Sequence, residues 1–293
     1  MSDSQPSRVF FAADSDPEMQ AACEKARATF RYFWRELAWE RRRIVPGLNL
    51  ACVKAPFSDG ERANTEHAKS EDAPPNVEQM WLEDVDFDGQ FVKGVLLNTP
   101  NWLKSVKQGD SARFHLNEIS DWMYAGSLFE VGKRVDVPEV YGAFTVNLMR
   151  SRMARRERKE HDDAWGLDFG DPNTIRIVPY GKKKSGGLLQ SWFGKREPEP
   201  DVLELEHAMS EAMAPKFREQ LANDPSLLHS KDDRGWTFLH QFALAGSAAT
   251  VKVLLEAGAD PNVRTDHGMT PLQLAKSLGW EKVMALLVAR GAK

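Results

Sequence analysis

Shifted by 33 positions, the last third of the chain matches itself. Gly235 falls on Gly268, Thr237 on Thr270, Leu239 on Leu272 and Gly246 on Gly279, and further on Leu254, Gly258 and Ala259 fall on Leu287, Gly291 and Ala292. A fixed period of this length constrains the fold strongly. A turn plus two antiparallel helices cannot bury its apolar faces alone, so neighbouring units must stack into one continuous core. Each match has a physical task. Thr270 before Pro271 caps the first helix of a unit, the hydroxyl accepting from a free N–H while the proline fits the first turn. Gly246 and Gly279 break the chain between paired helices, and Gly258 and Gly291 end the second helix. Asp260-Pro261-Asn262 is turn chemistry that sends the chain outward again.

The stretches "LLEAGADPN" and "GMTPLQLA" carry a resemblance to ankyrin repeats, and residues 233–292 resemble two full repeats. The first departs from the pattern with Phe238 where proline is usual and Phe242 where a small residue is usual. Leu221 stands one period before Leu254, and "LANDPSLLHSKDD" resembles a degenerate capping repeat, with a helix expected over 203–222. The resemblance implies an all-α array over residues 201–293 that recognises another protein through its concave face and projecting turns. The candidate partner-binding residues are Arg234, Trp236, Arg264, Asp266, His267 and Met269. In the last helix Ala285 and Ala289 replace the polar Lys252 and Glu256 of the preceding repeat, whereas an end repeat normally has a polar outer face. Val283, Leu286 and Leu287 are therefore expected to pack on the N-terminal domain, a second copy or a partner; the alternative is a tolerated apolar end.

The N-terminal part changes character. Residues 1–16 are polar and expected to be disordered, and 181–200, rich in Gly, Ser, Pro and charge, read as a flexible linker. Leu188, Leu189, Trp192 and Phe193 within that linker could touch an anionic membrane or dock on a neighbour; the apolar part is too short to anchor by itself, so docking between domains is favoured. Asp16-Pro17-Glu18 opens a helix whose Met19, Ala22, Cys23, Ala26, Phe30, Phe33, Trp34 and Leu37 recur at helical spacing. Strands are predicted at 48–57, 77–87, 90–98, 111–117, 119–125 and 141–151, with Asp88-Gly89 as a hairpin turn. Residues 58–75 read as an exposed loop. A helix packed on a mainly antiparallel sheet makes 17–180 an α+β domain. "DPEMQAACEKARATFRYFW", "VEQMWLEDVDFDGQFVKGVLLN", "VKQGD" and "EISDWMY" give residues 16–180 a resemblance to the bacterial domain of unknown function 2314. That family implies no established activity; its members are similar to domains found alone or joined to ankyrin repeats.

Several side-chain groups suit chemistry. His161, Asp162, Asp163, Asp168 and Asp171, interleaved with Trp165 and Phe169, could bind a divalent cation or supply acid–base groups, with His161, Asp163 and Asp168 as the catalytic candidates. The plainer reading makes Asp171-Pro172-Asn173 a turn and Trp165 an anchor in the core. No metal-ligand spacing is matched, so no metal site is assigned. In residues 150–160 Arg152, Arg155, Arg156 and Lys159 would share a helix face, with Glu157 and Glu160 as partners; a solvated face or an acidic protein partner is favoured over nucleic acid. Asp121–Tyr124 could line a pocket, or end a strand packed on the first helix. Asn98, Asn101 and Trp102 flank a turn at Pro100.

A net charge of -4 argues against a nucleic-acid coat. Cys23 and Cys52 make neither a CxxC nor a zinc pattern, and read as reduced thiols. No phosphate loop, dinucleotide fingerprint, nucleophile elbow or HExxH is present, so no cofactor is implied. Without a signal segment or a long apolar run, a cytoplasmic setting with no membrane partner is expected. The function read from the sequence is a non-catalytic protein-binding protein, with neutralisation of a bacterial effector or toxin as its specific form. The alternatives are a hydrolase or metal-dependent enzyme with its site near His161, and a nucleic-acid-associated protein using the basic segment.

Overall fold

The computed structural model describes residues 16–59, 77–126, 137–179, 203 and 205–293. The expected disordered terminus, except Asp16, and the linker at 181–200 with its apolar side chains lie outside the described residues, as does nearly all of the 58–75 loop. The chain forms two compact units that interleave in sequence. The first takes Met1–Thr29, Gly47–Asp86 and Phe91–Arg176, and the second Phe30–Pro46, Phe87–Gln90 and Ile177–Lys293.

In the first unit α1 (Pro17–Glu40) begins where expected, Asp16 Oδ1 accepting from the Glu18 amide at 3.0 Å. The sheet comprises β1 (Leu48–Phe57), β2 (Glu78–Phe87), β3 (Phe91–Leu96), β4 (Ser111–His115), β5 (Asp121–Gly126) and β6 (Glu139–Gly142), in the order β4-β3-β2-β1-β5-β6. β1 pairs antiparallel with both β2 and β5, so Val53 stands opposite Leu82 on one side and Trp122 on the other. β3 with β4 and β5 with β6 are antiparallel too. A central β1 must be apolar on both faces, and Cys52, Val53 and Ala55 are fully buried. The indole of Trp122 donates to the Ala26 carbonyl at 2.8 Å, fastening the first half of α1 to the sheet. Asp121–Tyr124 is therefore a strand buried on the first helix and not a pocket wall.

Of the strand expected over 141–151 only Tyr141 and Gly142 form, as the end of β6. β6 stops at Gly142, and α2 (Phe144–Ser151) follows. Gly142 (φ 77°) and Ala143 (φ 56°) both take left-handed backbone and turn the chain. At Gly142 nothing larger fits, since a Cβ would lie 2.4 Å from Trp122 Cε3. The free N–H groups of α2 are satisfied from a distance. Buried Asp121 accepts from the Trp122 and Phe144 amides through Oδ1, both at 2.9 Å, and through Oδ2 from the Thr145 amide at 2.8 Å and its hydroxyl at 2.6 Å. A cap supplied by another strand overrides a β-like local pattern.

The basic segment is also divided. α2 ends at Ser151 and α3 spans Arg155–Trp165, while Arg152 lies between them and bonds Asp16 at 2.6 Å. The four cations expected on one face thus do not share a helix.

The second unit contains the array: α4 (Ala208–Asn223), a short 3-10 turn at Pro225–Leu228, α5 (Phe238–Leu244), α6 (Ala248–Glu256), α7 (Pro271–Ser277) and α8 (Glu281–Ala289). α4, α6 and α8 stack in one layer, and α5 and α7 in the other. α7 starts with a reciprocal cap, Thr270 Oγ1 accepting from the Gln273 amide at 3.3 Å and Gln273 Oε1 from the Thr270 amide at 2.9 Å. Val283 and Leu287 of α8, four residues apart on one face, are buried on α6 and α7. Two of the three residues expected at an outer interface are thus core of the array; Leu286 is half-buried, and Val288 is the exposed aliphatic.

Phe30–Glu40 of α1 also pack within this unit. Trp39 Nε1 donates to Ser247 Oγ at 3.1 Å, and its ring lies 5.5 Å from both Phe242 and His207. Arg31 donates to the Gly279 carbonyl at 3.1 Å, and Tyr32 meets Trp280 edge-on at 6.1 Å. Phe242 is wedged among Trp39, Phe217 and the Arg42 guanidinium. A large residue where repeats usually have a small one is explained by this outside layer, which it fills.

Candidate functional site

The second unit presents two neighbouring turns, Asp232–Gly235 and Thr265–Gly268. Each closes on itself: Gly235 N donates to Asp232 O at 2.9 Å, and Gly268 N to Thr265 O at 2.9 Å. Gly235 has φ 70°, and a Cβ there would sit 2.1 Å from Asp266 Oδ1, so its place beside the next turn requires glycine.

Asp232 organises the first turn, Oδ1 accepting from the Arg234 amide at 3.0 Å and the Trp236 amide at 2.9 Å. Partial burial opposes its charge, but those amides and the Arg234 guanidinium outweigh it and hold its pKa below the usual carboxylate value. His240 organises the second. Its Nδ1 accepts from the Thr237 amide at 3.1 Å, so Nε2 carries the proton, between the carbonyls of Val263 at 3.1 Å and Met269 at 3.2 Å. Burial pulls the pKa of His240 below its ordinary value, against the opposite pull of those carbonyls, which favours the neutral ring. Neither residue stood among the sequence candidates. The spacing of Thr237 and His240, three apart at a helix start, was the available signal for one of them.

The six candidates separate. Arg264, Asp266 and His267 are exposed. Arg234 is half-buried, its guanidinium 4.6 Å from the Trp236 ring centre and 3.3 Å from Asp232 Oδ2. Trp236 is only 4% exposed, so it supports the turn from beneath and cannot be a projecting contact. Its indole is the largest apolar surface in the turn, and burial is where that surface is most stabilising. Met269 is half-buried, its Cε 3.7 Å from where a Cβ on Gly89 would stand; that hairpin turn belongs to the same unit.

The group around His161 does not converge. His161 Nδ1 is 2.9 Å from Asp162 Oδ1, and Asp162 is held by buried Arg150, Nε to Oδ1 at 2.8 Å and a terminal nitrogen to Oδ2 at 2.6 Å. Asp163 pairs with Lys159, and Asp168 with Arg176 at 3.1 Å, so each carboxylate has a separate cation. Asp171 turns the chain, accepting from the Asn173 amide at 2.9 Å. Phe169 anchors this segment at 2% exposure, whereas Trp165, expected to do so, is 37% exposed. Among the described residues no three His, Cys, Asp or Glu side chains cluster as metal ligands. Cys23 and Cys52 are free thiols whose pKa values burial raises, which leaves little thiolate for nucleophilic work. Among the described residues no helix is long and apolar enough to cross a membrane.

Residues 207–293 match the family described as "Ankyrin repeats (3 copies)". A protein of Neisseria meningitidis serogroup B named as an ankyrin repeat protein is 40% identical over 283 residues, covering 96% of this chain and 97% of that one. The Escherichia coli K12 protein YegJ, described as uncharacterized, is 30% identical over 108 residues, 37% of this chain and 55% of that protein. YahD of the same organism, also named for ankyrin repeats, is 35% identical over 80 residues, 26% of this chain and 40% of that protein. A protein-interaction role is what the repeats support. Residues 16–169 match the family described as "Uncharacterized protein conserved in bacteria (DUF2314)", and with that match spanning more than half of its length the chain belongs to the DUF2314 family, here joined to ankyrin repeats.

Proposed function

We propose that this chain is a non-catalytic, cytoplasmic protein-binding protein whose contact surface is the pair of turn tips bearing Arg264, Asp266, His267 and, at its margin, Arg234. One observation carries the reading: three polar side chains stand exposed at the second turn, whose backbone His240 holds from below, beside a first turn held by Asp232 and Trp236. A pre-set turn loses little conformational entropy when a partner arrives, so more of the contact energy is left for affinity. Trp236 and Met269 belong to the support of the tips. The specific form is neutralisation of a bacterial effector or toxin, supported by a family conserved in bacteria fused to interaction repeats; this rests on architecture alone.

Affinity capture from native lysate compares the full chain with a variant carrying Arg264→Ala, Asp266→Ala and His267→Ala. A stoichiometric partner lost from the variant, with the circular dichroism spectrum unchanged, is the expected result. Equal recovery by both proteins moves the binding surface elsewhere.

A further inference from the structure

Along α3 the first unit carries an open groove of about 800 Å³. Its three carboxylates are already neutralised. Asp162 is chelated by Arg150, Asp163 is paired with Lys159, and Asp168 with Arg176. Two further arginines line it, Arg155, exposed, and Arg158, half-buried. They are three positions apart and so share one side of α3. Among the described residues neither side chain makes a salt bridge. Arg156 between them is directed elsewhere: it is paired with Glu160 at 2.9 Å, its side chain is 91% exposed, and it does not line the groove. The charge left over in the groove is therefore two guanidiniums. Beside them Val137, 46% exposed, and half-buried Leu167 add apolar wall.

We infer that this groove is a binding site for a small phosphate monoester, its phosphoryl group held by Arg155 and Arg158 and its ester group lying on Val137 and Leu167. A dianion balances two unpaired guanidiniums, and their planar forks of N–H donors match phosphoryl oxygens. A carboxylate would leave one positive charge over. The site is separate from the turn tips, so its test does not depend on the protein-binding reading.

The test is isothermal titration of the full chain with phenyl phosphate, and with benzoate as a singly charged counterpart of similar apolar surface. Saturable binding of phenyl phosphate is expected, with benzoate at least about tenfold weaker. Arg155→Gln and Arg158→Gln each weaken phenyl phosphate about tenfold, in keeping with loss of one charge-assisted contact. Arg156→Gln removes the same charge from the same helix outside the groove and changes affinity less than about twofold. Circular dichroism confirms that each variant is folded. The inference is overturned by absence of saturable binding, by a loss in Arg156→Gln equal to that in Arg155→Gln, or by benzoate binding as tightly as phenyl phosphate.

Discussion

Removing the imidazole of His240 tests how the second turn is held. In His240→Ala the amide of Thr237 and the carbonyl of Val263 lose their partner, each at 3.1 Å, whereas the Met269 carbonyl keeps the Thr265 amide at 3.0 Å. At about 1 kcal/mol for each of the two orphaned groups, the loss is about 2 kcal/mol in total. With a urea m-value of about 1.5 kcal/mol per M for a unit of this size, the midpoint falls by about 1.3 M. Acid separates this explanation from simple loss of packing. Burial lowers the pKa of His240 in the folded state, so on acidification the unfolded chain takes up the proton first, near pH ~6.5. Its stabilising contribution is full above that pH and is lost as pH falls towards the folded value. Urea unfolding followed by tryptophan fluorescence, for wild type and variant at pH 8 and pH 5, should show the stability gap narrowing in acid. A gap that is constant or widens, or a loss at pH 8 below about 1 kcal/mol, refutes the neutral-ring bridge.

Trp39→Ala removes a buried indole bonded to Ser247 and stacked on His207; it should cost about 3–5 kcal/mol by urea unfolding. Asp121→Ala removes the acceptor of the buried amides of Phe144 and Thr145, so a loss of at least about 2 kcal/mol is expected, with reduced helical dichroism if α2 frays. Asp232→Asn should narrow the stability gap to wild type between pH 5 and pH 3 on the order of the usual carboxylate range. The folded pKa is depressed, so the wild-type contribution is present above the unfolded value and lost as pH falls through the folded one; a gap unchanged at pH 3 contradicts this. Alanine at Asp266 or His267 should each change stability by less than about 0.5 kcal/mol, because both are exposed, whereas Arg264→Ala also removes the 2.7 Å bond from its guanidinium to the Gly268 carbonyl and should cost about 1 kcal/mol.

The ankyrin stack was legible in the sequence because its order is local: a period of 33, a threonine–proline cap and glycines at helix breaks act within one repeat. The opening of α1, strands β1 to β5 and the Asp88-Gly89 turn were legible for the same reason. What the sequence could not disclose was set by residues far apart along the chain. Residues 144–151 look strand-like until Asp121, more than twenty positions earlier, caps them as a helix. Trp236 and Met269 look like contact residues until the fold buries one and brings Gly89 to the other. Val283 and Leu287 look free until α6 and α7 cover them. Pattern specifies which segments become helix or strand; which apolar side chain remains outside depends on what packs over it, and that neighbour is chosen only when the chain folds in three dimensions.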